Sequence, residues 1–224
     1  MTYIEENLHQ LTRELPESVR LVAVSKFHPV ESVMEAYTAG QRIFGESHVQ
    51  ELVAKQAVLP QDIEWHFIGH LQTNKVKYIV PFVSLIHAVD TLKLLKEINK
   101  QAEKIGRMAS CLLQIHIAQE ETKFGFTPDE LYDMLAVADW KSLEYVQISG
   151  LMCMATNTDD EDQITKEFHL ANTIFNDVKT SYFADDPHFK ELSMGMSDDY
   201  PLAIREGSTL VRVGTKIFGE REYV

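Results

Sequence analysis

Eight short apolar runs punctuate the chain: VRLVAVSK, QRIFGES, IEWHFIG, VSLIHAVD, SCLLQIHI, VQISGLMCM, FKELSMGM and STLVRVG, beginning near positions 19, 41, 63, 83, 110, 146, 189 and 208. Several are apolar on both faces, as strands of a parallel sheet covered on both sides are. Helical patterns fill the gaps. ESVMEAYTAG follows the first run and closes on Gly40, a good helix stop. TLKLLKEINKQAEKIG follows the fourth and spaces Leu95, Ile98, Ala102 and Ile105 by threes and fours. TPDELYDMLAVADW carries a start signal, with Thr127 as N-cap, Pro128 at the first helical position and Glu130 closing a capping box. Ile164, Phe168, Ala171, Phe175, Val178 and Tyr182 draw one apolar stripe along the longest helix.

Strict alternation of strand and helix implies parallel strands joined by right-handed crossovers. Eight such units behind one extra N-terminal helix predict an α/β fold, a single domain over residues 1–224 built as a (β/α)8 TIM-type barrel. The rival is an open doubly wound sheet. The count of eight favours the barrel, as does the lack of G-x-G-x-x-G after the first run.

Charge narrows the function classes. Lys and Arg number 21 against 34 Asp and Glu, a formal net charge of −13. Nucleic acid and anionic lipid both require basic surface, so neither is an expected partner. A small anionic ligand stays open, because a few donors in a cleft override the global field. No run approaches the roughly 20 apolar residues of a membrane span. The start, MTYIEENLHQLTREL, lacks the basic flank and apolar core of a secretory signal, so the expected compartment is the cytoplasm. Cys111 and Cys153 sit inside apolar runs and read as reduced core thiols.

In such a barrel, ligands bind at the C-terminal ends of the strands. Lys26 is expected to end the first strand, after LVAV. A buried ammonium is costly unless paired or deprotonated, and a deprotonated lysine attacks carbonyls. The alternative is a lysine whose stem reaches to solvent. After the seventh and eighth runs, SMGMSDD and VRVGTKIFG bring Ser197, Gly214 and Thr215 to where a phosphate site often forms, with Gly195 and Gly214 allowing close backbone approach. Ordinary turn chemistry favours the same residue types. Arg212 lies between Val211 and Val213, so it points into the mouth or pairs with Asp198, Asp199 or Glu206. His66 and His70 have i, i+4 spacing but straddle a strand end and Gly69. With no third ligand suitably spaced, no metal is expected, and His66 reads as a polar group at the mouth. TDDEDQ reads as a helix N-cap with first-turn carboxylates.

Together these segments resemble the pyridoxal phosphate homeostasis protein family, which is related to the alanine racemase N-terminal domain. The matching segments are LVAVSK, FGE..VQE at 44–51, EWHFIGHLQTNKV at 64–76, GLM at 150–152, LSMGMSDDYPLAI at 192–204 and GSTLVRVGTKIFG at 207–219. The resemblance covers nearly the whole chain and keeps the motif order. It implies a barrel like the N-terminal domain of alanine racemase, with pyridoxal phosphate held as a Schiff base on Lys26. It also implies that Ser197, Gly214 and Thr215 contact the phosphate and that Arg212 faces the pyridine nitrogen. Met196 and His66, inside matching segments, complete the expected cofactor contacts. The implied role is pyridoxal phosphate homeostasis or delivery, with apo pyridoxal phosphate enzymes as recipients. Two positions depart from the family pattern: Ser47-His48 replace the usual Asn-Tyr, and His116 replaces the usual Asn.

An amino-acid racemase with the same cofactor and a Schiff-base aldolase acting on a phosphorylated sugar are the competing classes. Turnover is not expected. A protonated Arg212 at the pyridine nitrogen opposes a second positive charge there, which leaves the ring a poor electron sink. Two-base racemisation also needs an acid–base group on each face of the substrate. The resemblance implies that alanine racemase takes its second group from a separate β-domain, not expected here. Tyr223 is the conceivable substitute, but it sits beside the terminus, where side chains are poorly fixed.

Overall fold

Each apolar run carries one strand in the computed structural model, which describes residues 2–120 and 122–220. The strands are β1 (Arg20–Val24), β2 (Ile43–Glu46), β3 (Glu64–Phe67), β4 (Leu85–Val89), β5 (Ala109–Gln114), β6 (Val146–Met152), β7 (Glu191–Ser193) and β8 (Leu210–Val213). The helices are α1 (Tyr3–Glu14), α2 (Val30–Thr38), α3 (Val49–Gln56), α4 (Val76–Ile79), α5 (Leu92–Lys104), α6 (Pro128–Val137), α7 (Glu161–Tyr182), α8 (Tyr200–Arg205) and α9 (Thr215–Phe218). All strand pairs are parallel and follow chain order, and β8 closes on β1 with Arg212 opposite Val22. The closed barrel excludes the doubly wound alternative. Among the described residues, no helix is long and apolar enough to cross a membrane.

Local chemistry sets the helix boundaries. Capping boxes start α1 (Thr2 with Glu5) and α6 (Thr127 with Glu130). At the head of α7 the Asp160 carboxylate accepts the Asp162 and Gln163 N–H groups, which gives TDDEDQ its role. Gly40 adopts φ 105° just beyond α2, a conformation that favours glycine. The predicted α7 stripe is buried from Ile164 to Val178. Ile105 departs from prediction: α5 stops at Lys104, and Ile105, now its C-cap, is half exposed.

Period-two alternation along the strands creates two cores. Leu21, Ala23, Trp65, Phe67, Leu113, Leu151, Leu192 and Val211 belong to the large core shared with the helices. Val22, Leu85, Leu112, Met152 and Leu210 form a separate small cluster inside the barrel. Burying each such leucine contributes about 2 kcal/mol. The same alternation turns Arg212 inward from β8, Ser193 from β7, His66 from β3 and His87 from β4. Polar side chains thus share the interior with a small apolar plug.

Candidate ligand site at the barrel mouth

β1 ends at Val24, so Lys26 stands in the loop beyond the strand rather than at its last position. The chain turns sharply there. His28 N–H donates to the Ser25 carbonyl (3.1 Å), and Phe27 takes φ 66°. That left-handed conformation costs a non-glycine residue about 1–2 kcal/mol and needs support from its surroundings. A buried ionic cluster supplies it. Lys55 Nζ donates to the Ser25 carbonyl (2.7 Å), to Glu46 Oε1 (2.7 Å) and to Glu51 Oε1 (2.8 Å), using all three of its hydrogens. Ser25 Oγ donates to Glu46 Oε1 (2.6 Å), and Phe27 N–H donates to Glu51 Oε1 (2.6 Å). Burial pushes the Glu46 carboxyl above its ordinary pKa, and Lys55 opposes that shift. Lys26 is therefore presented from a turn anchored on both flanks.

Arg212 is only 4% exposed. One terminal nitrogen donates to Ser193 Oγ (2.6 Å) and the other to the Cys153 carbonyl (2.9 Å). None of the carboxylates considered from sequence pairs with it. Asp199 accepts the Met196 N–H (2.5 Å), Glu206 pairs with His169 (2.9 Å), and Asp198 is exposed. The mouth-facing alternative holds. Burial depresses the guanidinium's pKa, but this group does not deprotonate in proteins.

Above Arg212 a cavity of about 220 Å³ opens at the C-terminal ends of β1, β3, β6, β7 and β8. Lys26, Arg212, Met196, Ser197, Gly214 and Thr215 all line it. Six of the seven residues predicted from sequence thus meet in one place. Gly214 N–H donates to Ser197 Oγ (3.3 Å), tying the β7 and β8 loops together. The two glycines serve packing within the protein. A Cβ at Gly195 would lie 2.6 Å from the Ala203 Cβ, and one at Gly214 would lie 3.0 Å from the Val24 carbonyl oxygen.

His66 is the seventh, and the structure places it elsewhere. It is buried inside the barrel and does not line the cavity. Its Nδ1 meets His87 Nε2 at 2.9 Å, and His87 Nδ1 meets Ser193 Oγ at 3.0 Å. Desolvation lowers the His66 pKa to about 3, with help from the charge of Arg20. Desolvation also depresses His87, reinforced by His66, Arg212 and Arg20. His70 stacks on Phe124 and pairs with Asp90, away from His66. Among the described residues no group of three metal-ligating side chains converges.

Val24, His28, Ile68 and Met154 line the cavity without having been singled out from sequence, and Asp198, considered there only as a partner for Arg212, lines it too. Only His28 carried a signal, its place just beyond Lys26; it stacks on Phe218 (4.9 Å between centroids). Ser47, His48 and His116 are not lining residues. His48 instead packs on Phe27, and His116 Nε2 meets the Glu120 carbonyl at 2.9 Å. Cys111 and Cys153 are free and buried; burial raises the Cys153 thiol to about 12. Tyr223 lies outside the described residues.

A closed parallel barrel with a lysine beyond β1 and a buried arginine on β8 defines a class, and comparison with known proteins agrees. The family model described as alanine racemase, N-terminal domain, matches residues 1–222. The pyridoxal phosphate homeostasis protein of Pasteurella multocida is 38% identical, over 98% of this chain and 98% of its own. That of Aquifex aeolicus is 38% identical over 91% and 88%. PipY of Synechococcus elongatus, solved without pyridoxal phosphate, superposes with a TM-score of 0.90 at 40% identity, over 96% of this chain and 100% of its own. PipY has also been solved with pyridoxal phosphate bound (TM-score 0.87). Alanine racemase of Clostridium difficile shares the fold alone, at 16% identity and a TM-score of 0.78, over 99% of this chain and 57% of its own. The chain belongs to the pyridoxal phosphate homeostasis protein family.

Proposed function

We propose that this chain, as one barrel domain over residues 1–224, binds pyridoxal phosphate as a Schiff base on Lys26 and serves its intracellular homeostasis without turning over a substrate. The observation that carries the reading is the convergence of Lys26 and Arg212 with Ser197, Gly214 and Thr215 around one cavity. Each group suits a different part of the ligand. Lys26 supplies the amine for the aldehyde. Ser197, Gly214 and Thr215 supply donors for the phosphate, and charge-assisted bonds of this kind contribute about 1.5–3 kcal/mol each. Arg212 has no carboxylate partner and remains a donor for the ring nitrogen. Met196 closes one side of the cavity; His66 acts from below it. A relative solved with pyridoxal phosphate bound supports the ligand's identity.

When bound, the cofactor brings an aldehyde and an aromatic ring able to accept electrons. The protein's own residues restrict that chemistry. A permanently protonated Arg212 facing the ring nitrogen disfavours protonation of the ring. Among the described cavity residues, Lys26, His28 and Asp198 carry groups that can exchange protons, and no tyrosine lines the cavity. The recipients in this reading are apo pyridoxal phosphate enzymes. The compartment is the cytoplasm, where buried free thiols such as Cys111 and Cys153 remain reduced.

The purified protein is expected to turn yellow with pyridoxal phosphate, to lose the colour on hydroxylamine treatment, and to lose it in the Lys26→Ala variant. Incubation of the loaded protein with L-amino acids in deuterated water tests the absence of turnover. Inversion at the ~1–1,000 per second typical of enzymes, abolished in Lys26→Ala, would replace this reading with a racemase.

A further inference from the structure

Arg212 is the inner end of a hydrogen-bonded chain that crosses the barrel. Its terminal nitrogen donates to Ser193 Oγ at 2.6 Å, Ser193 Oγ meets His87 Nδ1 at 3.0 Å, and His87 Nε2 meets His66 Nδ1 at 2.9 Å. Both imidazoles are buried, and both are kept neutral by desolvation. The directions of the bonds follow. Arginine can only donate, so Ser193 Oγ accepts from it. A buried hydroxyl must place its own hydrogen, and His87 Nδ1 is the remaining partner within reach. His87 then carries its proton on Nε2 and donates to His66 Nδ1. The guanidinium thus donates to a neutral hydroxyl, and the links behind it are neutral as well. The second terminal nitrogen of Arg212 is fixed by the Cys153 carbonyl (2.9 Å).

Two of the five guanidinium hydrogens are thus committed to the wall, and Arg212 lines the cavity. A buried carboxylate would have held the arginine more strongly, but it would also have neutralised it. Neutral acceptors fix its orientation and leave its charge to the cavity.

We infer that Ser193 and His87 are positioning residues which hold Arg212 toward a ring-nitrogen acceptor and so set the preference of the site for a pyridine over an isosteric benzene ring. This rests on the pyridoxal phosphate reading of the site. It adds the device that aims the arginine and the ligand property that the device selects.

The test is titration of the full chain with pyridoxal phosphate and with its 1-deaza analogue, in which C–H replaces the ring nitrogen. The unaltered protein is expected to prefer pyridoxal phosphate by about 10-fold or more, the loss of one hydrogen bond to a charged donor. Ser193→Ala removes the link and should bring the two affinities within about 3-fold of each other, with the analogue's own affinity little changed. His87→Gln, whose amide reaches the Nε2 position, should do the same. His87→Asn, whose amide falls near Nδ1, should keep the preference. Retention of the full preference in Ser193→Ala and His87→Gln would overturn the inference, as would an equal loss of both ligands. Should the histidine variants fail to fold, Ser193→Ala, which deletes a single oxygen, decides the matter alone. Binding of neither ligand by the unaltered protein would instead contradict the underlying reading of the site.

Discussion

Two buried polar clusters serve the barrel mouth, and they treat charge in opposite ways. Behind β1 and β2, Lys55 meets Glu46 and Glu51 and spends every hydrogen on them and on the Ser25 carbonyl. Inside the barrel, Arg212 meets only a hydroxyl and a peptide carbonyl. The first cluster is compensated within the protein and acts as scaffold, holding the strained turn that presents Lys26. The second keeps a positive charge without a salt-bridge partner beside a cavity, with Asp199 acting on it only at a distance. Charge balance separates the supporting group from the ligand-facing one more sharply than burial does, since Lys55 and Arg212 are equally buried, each at 4% exposure.

The comparison breaks first on stability. Lys55→Met strands the Glu46 carboxylate and should cost about 3–5 kcal/mol, read as a fall in the urea midpoint at unchanged slope. Removing both ends, as Lys55→Met with Glu46→Leu, should recover part of the loss. A single variant as stable as the unaltered protein would mean that the cluster is not scaffold.

Acid gives the next largest effect. His66 is held near 3 in the folded protein, against an ordinary 6.5, and His87 is also depressed. The unfolded chain therefore takes up protons that the folded chain refuses. Stability from these rings is complete above about pH 6.5 and falls as the pH drops toward 3, by up to about 1.4 kcal/mol per pH unit for each histidine. Chemical denaturation at pH 7, 6 and 5 measures it, and His66→Gln should flatten the slope.

Arg212→Met sharpens the comparison by separating binding from stability. The substitution leaves two acceptors unpaired but removes a buried charge, so the net change in stability should stay within about 1 kcal/mol. Affinity for pyridoxal phosphate should fall about 10-fold or more. Equal losses in both would make Arg212 another scaffold group. The smallest effect lies in the ligand. Pyridoxal without its phosphate should bind at least ~10-fold more weakly, about 1.4 kcal/mol, and equal binding would move the phosphate away from Ser197, Gly214 and Thr215.

Much of this was legible in the sequence because it rests on local signals. Eight apolar runs set the number of strands, a capping box marks the start of α6, and Gly-rich turns after the seventh and eighth runs locate the cavity. What escaped depends on which face a residue takes and on what packs over it. VRLVAVSK stays apolar through Val24 with no breaker before Pro29, so nothing local marks the strand end two residues before Lys26. His66 has the position of a mouth residue, near a strand end, yet it is buried against His87 and does not reach the cavity. His87 is hidden in the apolar run VSLIHAVD. Glu51 and Lys55 have the spacing of an ordinary surface pair on a helix, and only the packing of α3 on β1 and β2 buries the lysine.

The central claim is that Lys26 is the group that joins covalently to pyridoxal phosphate. Reduction of the loaded protein with borohydride, followed by proteolysis and peptide mass measurement, tests it directly. The account predicts one pyridoxyl group per chain, on the peptide that contains Lys26. A label on Lys55, Lys75 or Lys123, or no label at all, would contradict it.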